Sequence, residues 1–195
     1  MVRDQTNHSV VRTRALVALV ASCQLLMLGA DRAMAQAGGI DGPADPTAPP
    51  PPAAGSFVFP VQGTHNYGGE GSGFGAGRAG HSHQGQDVFA ACGTPLVSVT
   101  NTKVLLTGFQ KSAGNYAVLR YKRMRHDYMY AHLATAPLVT KGQKLTPGQQ
   151  VGTVGDSGNA SGCHLHFELW KRPGYYRGGR AVDPLPTLLA WDPDF

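Results

Sequence analysis

Of the eight histidines in this 195-residue chain, four fall into three short patterns that could do chemistry. The first is His83-Gln84-Gly85-Gln86-Asp87. On a strand, side chains at i, i+2 and i+4 share a face, so His83 and Asp87 are expected to point the same way, with Gly85 leaving room for an ion. The second is His164-Leu165-His166-Phe167, where period two puts both histidines on one face and Leu165 and Phe167 in the core. The third is the alternating run from Tyr128 to Leu133, which places His132 alongside Tyr130 and Tyr128. A lone histidine on a strand is more often structural than a ligand. Three such patterns in one glycine-rich chain point instead to a site.

Two histidines and a carboxylate suit a catalytic zinc. Zinc takes four tetrahedral ligands at roughly 2.0–2.2 Å, and a catalytic site keeps one position for water. Water held there is acidified and becomes a nucleophile near neutral pH. His132 and one member of the H-x-H pair are then left to act on that water and on the tetrahedral intermediate. Spacing alone leaves open which of His164 and His166 is the ligand. The chain has no H-E-x-x-H, which excludes a helical zincin site.

Short strands must position these residues. Glycine and proline are raised, at 26 and 14 residues, and charge is low at 15%. That composition favours strands and turns over long helices. Apolar or alternating runs span Gln86 to Ala90, Pro95 to Val99, Lys103 to Thr107, Asn115 to Tyr121, Tyr128 to Leu133, Gln150 to Val154 and Cys163 to Trp170. Glycine, proline, asparagine and aspartate punctuate them, and no helical period of convincing length occurs. The expected architecture is an all-β, mostly antiparallel β-sandwich over residues 56–195.

Two segments precede that domain. Residues 1–35 read as a secretory signal peptide: Arg12 and Arg14, an apolar run from Ala15 to Ala30, then the small-x-small site Ala33-Met34-Ala35. The run falls short of the ~20 apolar residues of a spanning helix, so no stable membrane insertion is expected after cleavage. Val20-Ala21-Ser22-Cys23 loosely fits a lipoprotein box, but the apolar run continues past Cys23. Residues 36–55 read as a proline-rich linker containing Pro49 to Pro52.

Removing the signal takes four basic and two acidic residues from a precursor of formal charge +5, leaving 13 basic and 10 acidic, or +3. This mild excess suits an anionic partner and is no nucleic-acid signature. Two cysteines remain, Cys92 and Cys163. An even count in an exported chain suggests a disulfide, worth ~4 kcal/mol for a loop of about 70 residues in the chain-entropy model.

The segment from Phe57 to Trp170 resembles the lysostaphin/LytM-type zinc metallopeptidases that cut peptidoglycan. The markers run in order: Phe59-Pro60-Val61, the Phe74-Gly75 loop, His83-x-Gly85-x-Asp87, Gly93-Thr94-Pro95-Leu96, Tyr130-Ala131-His132-Leu133, Gly148-Gln149-x-Val151-Gly152, and Ser161 through Glu168. The resemblance implies a lysostaphin-like β fold with a substrate groove and one Zn2+ per chain on His83, Asp87 and His166. It implies His132 and His164 as the non-ligand catalytic histidines. It further implies hydrolysis of peptidoglycan peptides by an exported protein of the periplasm or cell wall. A non-cutting regulator of a wall hydrolase with the same fold is the alternative, and the intact five-residue set argues against it. Some relatives carry a tyrosine shortly before the first ligand. Here the stretch from Gly68 to His83 has only Phe74, and Tyr67 lies further off.

Residues beside the site carry further expectations. Cys92 and Cys163 both flank the proposed metal, and strand parity turns Cys163 away, favouring a disulfide over ligation. His81 reads as a solvated loop histidine. Glu168 shares parity with His166 and is placed to support it. Arg120 through Arg125 is a basic cluster at a hairpin tip, with attraction to wall polymer as its sharper reading.

Overall fold

A computed structural model describes residues 56–175 and 177–195. The signal peptide and linker expected for residues 1–55 lie outside the described residues. Twelve short strands lie among the described residues. They are β1 His65–Asn66, β2 Gly77–Arg78, β3 His81–Ser82, β4 Gln86–Ala90, β5 Pro95–Val97, β6 Thr102–Gln110, β7 Gly114–Tyr121, β8 His126–Leu133, β9 Lys144–Leu145, β10 Gln150–Thr153, β11 His164–Lys171 and β12 Arg180–Val182. A single-turn 3-10 segment at Glu70–Ser72 precedes β2, and a helix α1, Leu185–Trp191, closes the chain.

The main sheet runs in the order β1-β4-β11-β8-β7-β6-β9, with β12 also pairing β11, and every pairing is antiparallel. Strands β10 and β5 form a second, two-stranded sheet, and β2 and β3 form a small hairpin. The all-β, antiparallel architecture expected from the turn-rich sequence is the one observed.

Alternation along β8 and β11 separates two faces. Tyr128, Tyr130, Leu165, Phe167 and Leu169 enter the main core, where Leu96 of β5, Val151 of β10 and Leu188 of α1 cover them. Burying each such side chain contributes about 1.5–3 kcal/mol. Tyr130 packs edge-on against Phe167, and its hydroxyl donates to the Val97 carbonyl at 3.0 Å, tying the two sheets together. The opposite face carries Val118, Met129 and Ala131, with Tyr175 over them. His166 pairs with Ala131 and Glu168 with Met129, so the second histidine of the H-x-H run lies on this opposite face.

The two ends of the described chain meet. Phe57 stacks on Trp191 at 4.8 Å. His65 Nε2 and the Tyr67 hydroxyl both reach Asp192 Oδ2, at 2.8 and 2.7 Å. Helix α1 has seven residues, too few for a periodic pattern to stand out, and was not anticipated. Cys92 and Cys163 form the expected disulfide, joining the segment after β4 to the residue before β11. Among the described residues no helix is long and apolar enough to cross a membrane.

Candidate metal centre

Neighbouring strands β4 and β11 bring the first donors together. Asp87 on β4 pairs directly with His166 on β11. His83 arrives by a different route from the one its spacing suggested. Strand β4 begins only at Gln86, and His83 belongs to the connection after β3. Its amide donates to the Ala76 carbonyl and its own carbonyl accepts from Gly75, which fix it to the glycine-rich loop. Gly85 makes room for protein rather than for an ion. A Cβ there would lie 2.5 Å from the Phe167 carbonyl oxygen and 2.9 Å from the His166 ring, so only glycine lets β4 approach β11 this closely.

His132 reaches the site through a break in the strand pattern. Strict alternation groups it with Tyr130 and Tyr128, which in fact lie in the core on the other face. Between Asn115↔Leu133 and Ala117↔Tyr130 the register shifts, so Ala131 and His132 together oppose Tyr116 alone. His132 adopts φ of 60°, left-handed for a non-glycine residue. This bulge swings the imidazole onto the site face, with ring centroids 4.7 Å from His164 and 5.8 Å from His166.

Three donor atoms converge. His83 Nε2, Asp87 Oδ1 and His166 Nδ1 are separated by 3.1, 3.0 and 2.9 Å. A tetrahedral zinc with bonds of about 2.05 Å spaces its ligands at roughly 3.3 Å, so the triangle matches one face of that tetrahedron to within about 0.4 Å. The outer hydrogen bonds direct both rings. His83 Nδ1–H donates to the Gly73 carbonyl at 2.8 Å, which leaves the Nε2 lone pair facing inward. His166 Nε2–H donates to Glu168 Oε1 at 3.0 Å, which directs Nδ1 inward. Glu168 is itself held by Trp170 Nε1, which donates to Oε2 at 2.6 Å. Imidazole fixed by carboxylate or carbonyl partners is the usual support of a metal ligand. The residues present therefore fit a zinc ion.

The remaining two histidines face the same point without joining the triangle. His132 Nδ1–H donates to the Ser157 carbonyl and His164 Nδ1–H to that of Gly162, each at 2.8 Å. Both therefore turn Nε2 toward the site, and His164 Nε2 stands 3.6 Å from Asp87 Oδ1. Burial, with the neighbouring charges of His164 and His166, pushes the His132 pKa down to about 4, against the pull of Ser157 and Asp87. His132 is thus neutral near neutral pH, with a free lone pair. Burial also works against charge on His166, but Asp87 and Glu168 outweigh it and raise its pKa to about 9. Asp87 is buried too, yet its hydrogen bonds from His166 and His83 hold it well below the usual carboxylate range.

All five residues singled out from the sequence gather here. Arg78 was missed. Its Nη2 donates to Asp87 Oδ2 at 3.2 Å, so the second carboxylate oxygen is already engaged. It stands five residues before His83 on the two-residue strand β2, too short for a periodic signal, so nothing in the sequence marked it. Ser157, which orients His132, lies in a turn with no periodic signal, whereas Trp170, which holds Glu168, was missed although it shares strand parity with it. Tyr67 cannot supply the tyrosine seen in some relatives, because its hydroxyl is committed to Asp192. His81 is exposed on β3, as expected of a solvated histidine.

Residues 81–184 match the model of Peptidase family M23. The chain is 39% identical over 109 residues to the peptidoglycan DD-endopeptidase ShyA of Vibrio cholerae, a match covering 55% of this chain and 23% of that protein. The chain thus spans about a quarter of that relative's length. Its fold is similar to the crystal structure of a zinc-containing peptidase from Vibrio cholerae, with TM-score 0.55 and 32% identity over 66% of this chain and 39% of the other. It is likewise similar to the catalytic domain of lysostaphin from Staphylococcus simulans, with TM-score 0.55 and 28% identity over 65% of this chain and 92% of the other.

Proposed function

The chain belongs to peptidase family M23, and from that premise we propose that it is an exported, zinc-dependent endopeptidase that hydrolyses peptide bonds of bacterial peptidoglycan. The observation that carries this reading is the donor triangle of His83, Asp87 and His166, with two further histidines turned toward it. In this reading residues 56–195 are the catalytic domain, following a signal peptide and a linker.

A zinc ion held by His83, Asp87 and His166 would supply Lewis acidity, lowering the pKa of water and polarising the scissile carbonyl. The chain's own residues do the rest. His132, neutral and anchored through Nδ1–H to Ser157, accepts a proton from the attacking water at Nε2. The same nitrogen then returns that proton to the leaving amine. His164, anchored through Nδ1–H to Gly162, presents Nε2 beside the ligands and, when protonated, donates to the developing oxyanion. Glu168 and Trp170 hold the His166 ring, and Arg78 holds the outer oxygen of Asp87.

The test is metal removal and return. Dialysis against a chelator should abolish peptide release from purified wall, and one equivalent of zinc per chain should restore it. The His132→Ala variant should bind the same equivalent and release nothing. Full release by the metal-free chain would refute the proposal.

A further inference from the structure

The end of the main sheet remote from the donor triangle carries most of the described chain's positive charge. Strand pairing collects it. Lys103 on β6 pairs with Lys144 on β9, and Lys171 on β11 pairs with Arg180 on β12. The turn joining β7 to β8 adds Lys122, Arg123 and Arg125. The loop from β11 to β12 adds Arg172 and Arg177. All nine are exposed, and they are nine of the thirteen lysines and arginines from residue 56 onward. Among the described residues none of the nine forms an ion pair, the arginines that do so being Arg78 and Arg120.

Little negative charge answers them. The segments forming this edge contain Asp127, Asp183 and, three residues inward on β11, Glu168, which is engaged by His166 and Trp170. Asp127 is buried and already neutralised, taking two hydrogen bonds of 2.8 Å from Arg120. Asp183 lies at the inner end of β12, where it accepts from the Leu185 amide. The row from β9 across β6, β7, β8 and β11 to β12 crosses six strands, or roughly 24 Å at about 4.8 Å per strand. His126 to His132 spans six residues of β8, so the row stands about 20 Å from the candidate metal centre at ~3.3 Å per residue.

We propose that this edge is a docking surface for a linear, base-free polyanion with one ionised phosphate per repeat. A narrow row of cations matches an extended polymer. Five of the nine cations are arginines, whose planar forks take two oxygens of one phosphate. A membrane surface fits less well, because interfacial binding needs apolar anchors and the large hydrophobic exposed among the described residues here is Met124. Among the described residues base-reading is not served, since Tyr121 and Tyr175 on this edge are buried and Trp170 is held by Glu168. Docking here leaves the donor triangle free, so the surface acts independently of the reaction at the candidate centre.

The test measures binding of the whole chain to long-chain inorganic polyphosphate by calorimetry. With five to six phosphates neutralised, affinity should fall about 100-fold or more between ~50 and ~200 mM salt. The variant Lys122→Glu/Arg123→Glu should lose at least tenfold in affinity while keeping the wild-type unfolding midpoint. Arg177→Glu/Arg180→Glu, at the other side of the row, should do the same and guards against a local folding effect in the first. Unchanged affinity in both variants would overturn the proposal. So would tighter binding, at equal charge, to polyglutamate, to phosphatidylglycerol vesicles or to single-stranded DNA.

Discussion

The left-handed backbone of His132 makes a prediction whose sign is unusual. At an ordinary strand position alanine is favoured over glycine by about 0.5–1 kcal/mol, because glycine loses more freedom on folding. His132 has φ of 60° inside a bulge of β8. An L-residue there carries a steric cost of about 1–2 kcal/mol that glycine does not. His132→Ala and His132→Gly remove the same buried imidazole, so their difference isolates the backbone. Subtracting the entropic penalty leaves His132→Gly more stable than His132→Ala by about 1 kcal/mol. For a domain of this size that is about 3–4 °C in unfolding midpoint. Urea titrations of the two variants with matching m-values read the difference directly. Equal stability, or a more stable alanine variant, would show that His132 is not held in the left-handed region and that the bulge does not deliver it to the site.

Other perturbations follow from the same geometry. Gly85→Ala places a methyl group against the Phe167 carbonyl and the His166 ring, and should cost about 1–3 kcal/mol and weaken metal binding; a variant with wild-type stability and metal affinity would contradict the close approach. Glu168→Gln removes the carboxylate that fixes the His166 ring and accepts from Trp170, and should lower zinc affinity about 10–100-fold in competition with a chromophoric chelator; unchanged affinity would remove Glu168 from the support of the site. His65 and Asp192 make stability depend on pH. Burial opposes charge on His65, but Asp192 and the Gly63 carbonyl raise its pKa above 6.5, so its contribution is complete below 6.5 and is lost as pH rises through the raised value. Burial likewise opposes the Asp192 carboxylate, but His65, the Asp194 amide and Tyr67 lower its pKa below 3.8, so its contribution is complete above 3.8 and is lost as pH falls through the lowered value. The stability gap between wild type and His65→Gln should therefore be widest between pH 3.8 and 6.5; a gap flat across pH would refute the pairing.

Where local rules governed, the sequence was readable. The turn-bounded run from Gln86 to Ala90 is strand β4, and H-x-H parity correctly set His164 and His166 opposite Leu165 and Phe167. Parity also placed Glu168 beside His166, as observed. Residue spacing left the choice between His164 and His166 open, and family resemblance favoured His166. In the structure Asp87 on the adjacent strand comes closer to His166 than to His164. Parity failed where the backbone left the pleat. One extra residue in β8 turned His132 away from the tyrosines, and His83 proved to lie outside the strand that carries Asp87. Arg78, Ser157 and Gly73 act through contacts that cross from one element or turn to another, which no local period encodes. The basic hairpin tip was visible, but its union with Lys103, Lys144 and Arg180 depends on strand order.

The central claim is that these five residues cut a peptide bond in peptidoglycan. Its most direct test is digestion of purified peptidoglycan by the zinc-loaded chain, with mass spectrometry of the soluble fragments. The account predicts fragments bearing new amino termini from the wild-type chain and none from His132→Ala, which also names the bond. No fragments from several wall types, despite one bound zinc per chain, would contradict it and leave a non-cutting regulator with the same fold.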